Sequence, residues 1–257
     1  MSQSHSLTDR VALVTGGGSG IGRAAALAYA ALGAKVAVAG RRRDALEETV
    51  RLITDAGGEA VAIVADVALS ASVAGMVERT VAHFGRLDAA FNNAGMSGAF
   101  QPITQLSEAD FDEVIAVNLK GTWLTIKHEV TAMIACGNGG SIVNTSSFVT
   151  RAPSIGTTAY AASKGALDAL TLAVAVEAGP HNIRINNLLP GAIDTDMFRS
   201  LGGAAVVDPL SAHTPLKRIG RPQDIGDVAA WLASDAASFI TGQSLLVDGG
   251  IAIAGMR

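Results

Sequence analysis

The stretch "VALVTGGGSGIGRAAALAYAALG" (residues 11–33) carries the reading of the fold. Its first four residues are apolar without alternation, as a strand buried on both faces requires. Gly16, Gly20 and Gly22 follow, and an alanine-rich run of helical composition begins among them. Glycine allows a tight turn there and lets backbone N–H groups and a helix N-terminus approach a pyrophosphate. The spacing is G-x-x-x-G-x-G, not the G-x-G-x-x-G dinucleotide fingerprint. Taken alone, the turn leaves three readings open: a dinucleotide site, a tight turn holding no ligand, and an S-adenosylmethionine-binding fold.

Working outward, similar apolar runs recur at 35–40, 60–67, 87–95, 141–147, 183–191 and 243–250. Each is continuously apolar, and the segments between them are long enough for crossover helices. Repeated strand–helix units of this kind make a parallel sheet. No linker, composition shift or internal repeat divides the chain. The expectation is α/β: one doubly wound domain across 1–257, with about seven parallel strands and helices on both faces.

Composition narrows the class. The chain has 257 residues, 49% of them hydrophobic, which is enough for one large core. A formal net charge of −4 argues against nucleic acid or an anionic membrane as the main partner. Cys136 is the only cysteine, so no intrachain disulfide forms and a reducing compartment fits. "MSQSHSLTDR" has no apolar signal-peptide core. Lys35, Asp168 and Glu177 cut the apolar runs before the roughly 18–20 residues that span a bilayer. A soluble, cytoplasmic protein is expected. The histidines (His5, His83, His128, His181 and His213) share no ligand spacing, so no catalytic metal is expected.

A second stretch, "TTAYAASKGALDALTLAV" (157–174), sets Tyr160 and Lys164 four residues apart in an apolar helix. That spacing shares a helix face. A phenol ordinarily titrates near 10, too high for a base at neutral pH. A neighbouring ammonium lowers that value and suits the phenol to general acid–base work. A packed tyrosine beside a snorkelling lysine is the alternative. Ser147, at the end of a predicted strand where doubly wound sheets bind ligands, favours the catalytic reading. An S-adenosylmethionine-binding fold has no use for the pair.

With these motifs in order, residues 7 to 250 resemble the short-chain dehydrogenase/reductase family, a Rossmann-fold family. "TGGGSGIG" (15–22), "NNAG" (92–95), "SS" (146–147), "YAASK" (160–164) and "PGAIDT" (190–195) carry the likeness. It implies hydride transfer between a nicotinamide and a ketone or secondary alcohol. By resemblance, Tyr160 is the acid–base group, Ser147 holds the substrate oxygen, and Lys164 lowers the Tyr160 pKa and binds the ribose. Asn118, in "VNLKG", anchors a water of the proton relay, or else kinks its helix or bonds to backbone. Gly16, Ser19, Gly20, Ile21 and Gly22 hold the pyrophosphate. Asp66 and Val67 meet the adenine, although Asp66 also suits a helix cap. Asn93, Ala94 and Gly95 line the cofactor, while Asn92 ties strands together. Pro190, Gly191, Ile193 and Thr195 surround the nicotinamide and its carboxamide.

The resemblance makes Ala192–Pro215 a mobile substrate lid. Met96, Phe148, Ile155, Met197 and Phe198 are candidates for an apolar pocket wall, suited to an aliphatic, aromatic or alicyclic ketone or alcohol. A 3-oxoacyl-thioester reductase and a non-catalytic dinucleotide sensor are the competing functions. At the end of the second strand, "VAVAGRRRDALEE" (36–48) has Gly40 where NAD-binding folds place a carboxylate. Arg41 and Arg42 follow, with Arg43 facing water and Asp44 read with Glu47 as a capping box. NADP(H) is therefore expected over NAD(H), which stays possible. In "RPQDIGDVAAWLAS" (221–234), Ile225, Val228, Ala229 and Leu232 form a core stripe, and Trp231 falls off it. Together with the small residues of the Tyr160 helix, this predicts a homo-oligomer, a tetramer by family resemblance.

Overall fold

The computed structural model describes residues 5–202 and 204–253. Seven strands form one sheet in the order β3-β2-β1-β4-β5-β6-β7. They are β1 (Val11–Thr15), β2 (Lys35–Gly40), β3 (Ala60–Val64), β4 (Ala89–Asn92), β5 (Gly140–Thr145), β6 (Ile183–Pro190) and β7 (Ser244–Val247). Every pairing is parallel. The doubly wound sheet read from the sequence is therefore present, and each strand lies inside its apolar run except β5, which starts one residue early at Gly140. The ends differ. β3, β4 and β7 stop three residues short of the predicted limits, because "ADV", "NAG" and "DGG" leave the ladder to form loops.

Helices cover both faces, as buried parallel strands demand. On one face α1 (Gly20–Ala31), α2 (Arg43–Asp55) and α9 (Pro222–Ala233) pack Ala25, Tyr29, Leu46, Ile225 and Ala229 onto β1, β2 and β4. On the other face, α3 (Ser70–Phe84) and α5 (Thr122–Cys136) bury Val73, Met76, Ile126 and Met133 against the same strands and β5. The long α6 (Thr158–Ala178) completes that face. α4 (Glu108–Ile115) runs through a six-residue π-helical segment, Ala116–Gly121, into α5.

Two expectations need correction here. α2 starts at Arg43 with Arg42 as its N-cap, so Asp44 sits inside the first turn and forms no capping box. Its charge there complements the helix dipole instead. Trp231 is half-buried against the α1–α9 core cluster beside Val228, so part of its surface is spent within the domain. Asn92 ties strands as expected, donating to Asn144 of β5 and to Glu129 of α5.

The order reverses between β1 and β4, which leave in opposite directions through their helices. In doubly wound sheets the ligand crevice opens at the carboxyl ends flanking such a switch point.

Candidate active site

A cavity of about 1020 Å³ opens at those carboxyl ends. Its floor is the glycine turn. Gly16 and Gly20 adopt φ of 65° and 51°, a left-handed region that a side chain disfavours. A Cβ on Gly20 would sit 3.1 Å from Thr195 Cγ2, and one on Gly16 would sit 2.8 Å from Asn93 Nδ2. The turn thus offers bare backbone at the start of α1, a cradle that fits a dinucleotide pyrophosphate. Ser19 and Ile21 border the same space. Gly22 does not line the cavity: its α-carbon faces the Gly16 carbonyl, and a Cβ there would collide with it. Its role is close packing of helix against turn, not ligand contact.

At one end, Arg41 and Arg42 border the cavity just past Gly40, and the Arg42 guanidinium donates to Ser19 Oγ at 3.1 Å. Arg43 pairs with Glu47 at 3.4 Å on the exposed side of α2. Asp66 and Val67 also border this end. The Asp66 carboxylate accepts from the Ala68 N–H at 2.9 Å, a local turn ahead of α3. Asn93, Ala94 and Gly95 run along the middle. Thr15 holds them there: its Oγ1 accepts from the N–H groups of Asn93 at 3.0 Å and Ala94 at 3.1 Å. Thr15 was not foreseen, although its place directly before Gly16 at a strand end is visible in the sequence.

The reactive end gathers residues from β4, β5 and α6. Ser147 caps a short 3-10 turn, Phe148–Thr150, by accepting from the Val149 N–H at 3.3 Å, and it lines the same cavity as Tyr160. Lys164 is 3% exposed and donates to the Thr145 carbonyl at 2.6 Å. Burial pulls its pKa down to about 8. Its Nζ lies 5.8 Å from the Tyr160 ring centroid. The expected lowering of the Tyr160 pKa is not found: burial of the phenol outweighs the lowering by Ser147 and raises it. The ammonium is directed at Thr145 and stands over the ring, not at the hydroxyl, so its effect on the phenolate is small.

Asn118 lies behind the cavity wall in the π-helical segment, fully buried. Its side chain accepts from the Met96 N–H at 2.9 Å and donates to the Met96 carbonyl at 2.8 Å and to Ser163 at 3.2 Å. The backbone-bonding alternative thus describes its side chain, and a water would have to share its backbone carbonyl, which already accepts from Thr122 Oγ1 at 2.8 Å. That side chain also explains Gly95, where a Cβ would sit 3.1 Å from Asn118 Oδ1.

Pro190, Gly191, Ile193 and Thr195 line the cavity after β6. Beyond them, α7 (Asp196–Arg199) and α8 (Ala204–His213) occupy the segment expected to be a lid. Met96, Phe148, Met197 and Phe198 are on the wall, joined by Val149 and Leu210. Ile155 is not: it is 88% exposed and outside the cavity, because its loop turns outward before α6. Val149 and Leu210 carried no distinguishing signal, since valine and leucine are commonest as packing.

A crevice of these dimensions at a Rossmann switch point, with Ser147, Tyr160 and Lys164 at one end, defines a dinucleotide-dependent oxidoreductase. A family model described as enoyl-(acyl carrier protein) reductase matches residues 16–252. A short chain dehydrogenase/reductase from Aspergillus oryzae is 40% identical over 255 residues, covering 98% of each chain. A-factor type gamma-butyrolactone 1'-reductase (1S-forming) of Streptomyces virginiae is also 40% identical, over 96% of this chain and 97% of that protein. The solved structure of 7 alpha-hydroxysteroid dehydrogenase complexed with NADH and 7-oxo glycochenodeoxycholic acid superposes with a TM-score of 0.93. It is 34% identical, and the match covers 97% of each chain. The chain belongs to the short-chain dehydrogenase/reductase family, and it is an oxidoreductase of the alcohol–ketone couple.

Proposed function

We propose that this protein reduces uncharged ketones with NADPH, with Tyr160 as the proton donor. The carrying observation is that Ser147 and Tyr160 line one cavity together with buried Lys164. The nicotinamide, when bound, supplies or accepts hydride. Ser147 Oγ holds the substrate oxygen and Tyr160 Oη delivers the proton to it. Lys164, fixed by Thr145, holds the ribose side of the cofactor and feeds protons toward Tyr160. The Asn118 carbonyl holds the next water of that relay. Gly16, Ser19, Gly20 and Ile21 bind the pyrophosphate, and Asp66 and Val67 face the adenine. Asn93, Ala94 and Gly95 line the ribose and nicotinamide. Pro190, Gly191, Ile193 and Thr195 orient the ring.

The cofactor preference rests on Gly40, which has no carboxylate to repel a 2′-phosphate, and on Arg41 and Arg42 beside it. A neutral ketone is favoured because the substrate wall is Met96, Phe148, Met197 and Phe198, with Glu113 and Asp196 as acidic neighbours. Arg199 pairs with Asp194, Arg151 with Asp168 and Arg218 with Asp224, and none of these arginines lines the cavity. That disfavours acyl-thioester carriers, whose phosphates need free cations. Residues 192–215, with α7 and α8, act as the lid over this wall. Exposed Leu172 and Val176 on α6, and Leu245 and Leu246 on edge strand β7, suit contacts within a homotetramer in the cytoplasm.

The test is oxidation of NADPH, followed by its absorbance, with a neutral cyclic ketone, a 2-oxo acid and a 3-oxoacyl-coenzyme A. Turnover with the cyclic ketone, well above the two anionic substrates, is expected. Binding of NADPH without turnover of any ketone would favour the sensor reading.

A further inference from the structure

Four strands carry polar side chains in one register across the sheet: Asn92 of β4 faces Asn144 of β5, which faces Asn187 of β6, which faces Ser244 of β7. Their hydrogen bonds run one way. Asn92 Nδ2 donates to Asn144 Oδ1 at 3.0 Å, and Asn144 Nδ2 to Asn187 Oδ1 at 3.1 Å. Asn187 Nδ2 donates to Ser244 Oγ at 3.1 Å and to Asp168 Oδ1 at 3.3 Å. The direction also fixes the Asn92 amide, since reversing it would set two oxygens together.

Each end of this ladder has a carboxyl group, and the two are treated differently. Asp168 is partly exposed, pairs with Arg151 and accepts from Ser244. Glu129, on α5, is 0% exposed, and Asn92 Nδ2 donates to its Oε2 at 3.0 Å. The other oxygen of each group, Asn92 Oδ1 and Glu129 Oε1, is buried without a partner. Two orphaned buried acceptors are costly as they stand. They belong to two groups already joined by one hydrogen bond, so a single proton on Glu129 satisfies both.

We infer that Glu129 is a neutral carboxylic acid closing a two-hydrogen-bond pair with the Asn92 amide. This pair is a positioning device that locks the carboxyl ends of β4 and β5. Asn92 directly precedes Asn93–Gly95, and Asn144 directly precedes Thr145, whose carbonyl seats Lys164. Burial pushes the Glu129 carboxyl up to about 8. No countercharge opposes this. α3 brings Glu78, Arg79 and His83, the π segment Lys120, and α5 itself Lys127, His128 and Cys136; α6 brings Lys164 and Asp168. None hydrogen-bonds Glu129, whose one hydrogen-bond partner among the described residues is Asn92. Arg79 is spent on the Gly75 and Val64 carbonyls, Lys127 lies over Trp123, and Tyr29, across the sheet, has its own pKa raised first by burial and then by Glu129.

The acid–amide pair rests on these contacts alone; its effect on catalysis rests also on the reductase reading. Glu129→Gln keeps both hydrogen bonds without a titrating proton. An infrared difference spectrum, wild type minus Glu129→Gln at pH 7, should show the carbonyl band of a protonated acid. An acid whose folded pKa is raised costs stability as pH climbs from its unfolded value to its folded one. Between about pH 5 and 8 the wild-type folding equilibrium should therefore fall about tenfold per pH unit relative to Glu129→Gln. Catalytic efficiency should stay within about twofold in Glu129→Gln. It should drop tenfold or more in Glu129→Ala, with the cofactor KM raised, as an unpaired buried amide implies. A carboxylate band at pH 7, or parallel stability curves, would overturn the acid–amide pair, whether or not Glu129→Ala folds. Unchanged Glu129→Ala kinetics would overturn the positioning role alone.

Discussion

Lys164→Met separates function from stability. Lys164 is buried, and its pKa falls from 10.5 to about 8, so holding the ammonium there costs on the order of 3 kcal/mol. The sign follows from proton binding. Below pH 8 both folded and unfolded chains carry the proton and the full cost is present. From pH 8 to 10.5 only the unfolded chain carries it, so wild-type stability recovers. Methionine removes the charge but leaves the Thr145 carbonyl without its 2.6 Å donor, a loss of about 1–3 kcal/mol. The balance at pH 7 is between no change and a gain of about 2 kcal/mol, or up to roughly 4–8 °C for a chain of this size. Turnover and cofactor affinity should both collapse. Calorimetry of the two proteins without cofactor, from pH 7 to 10, reads the difference. A Lys164→Met protein several degrees less stable at pH 7, with a gap that ignores pH, would refute the reasoning.

Gly22→Ala places a methyl 2.7 Å from the Gly16 carbonyl carbon and from Asn93 Nδ2. Overpacking of about 1–3 kcal/mol should lower the melting temperature and weaken dinucleotide binding, read by titration. Gly75→Ala, in α3 with nothing within 4 Å, should instead gain about 0.5–1 kcal/mol. Arg41→Ala with Arg42→Ala should abolish the preference of kcat/KM for NADPH over NADH, and added salt should narrow that preference in the wild type. Equal efficiency with NADH in the wild type contradicts it. Leu172→Lys with Val176→Lys, on the outer face of α6, should shift the mass measured by light scattering toward smaller species. An unchanged mass would remove α6 from the interface.

The fold was legible because buried parallel strands are mainly apolar runs without alternation, and six of the seven fell inside theirs, with β5 starting one residue early at Gly140. Strand ends were less so, since "NAG" and "DGG" continue their runs with small residues and nothing in the run itself marks where the ladder stops. Ser147, Tyr160 and Lys164 were readable because their chemistry needs rare residue types at fixed spacing. What spacing cannot give is direction. It did not reveal that Lys164 points to Thr145, that the Asn118 side chain is consumed by Met96, or that Ile155 turns outward. Nothing in the sequence singled out Glu129, because its burial is set by the strands beneath α5.

The central claim is that Tyr160, beside Ser147, delivers the proton during reduction of a ketone. The most direct measurement is single-turnover reduction of a cyclic ketone by bound NADPH in the wild type and in Tyr160→Phe, with NADPH affinity measured on both. Loss of a thousandfold or more of the rate, within the 10²–10⁴ typical of general acid–base catalysis, with near-equal NADPH affinity is predicted. A Tyr160→Phe rate within a few-fold of wild type would contradict it.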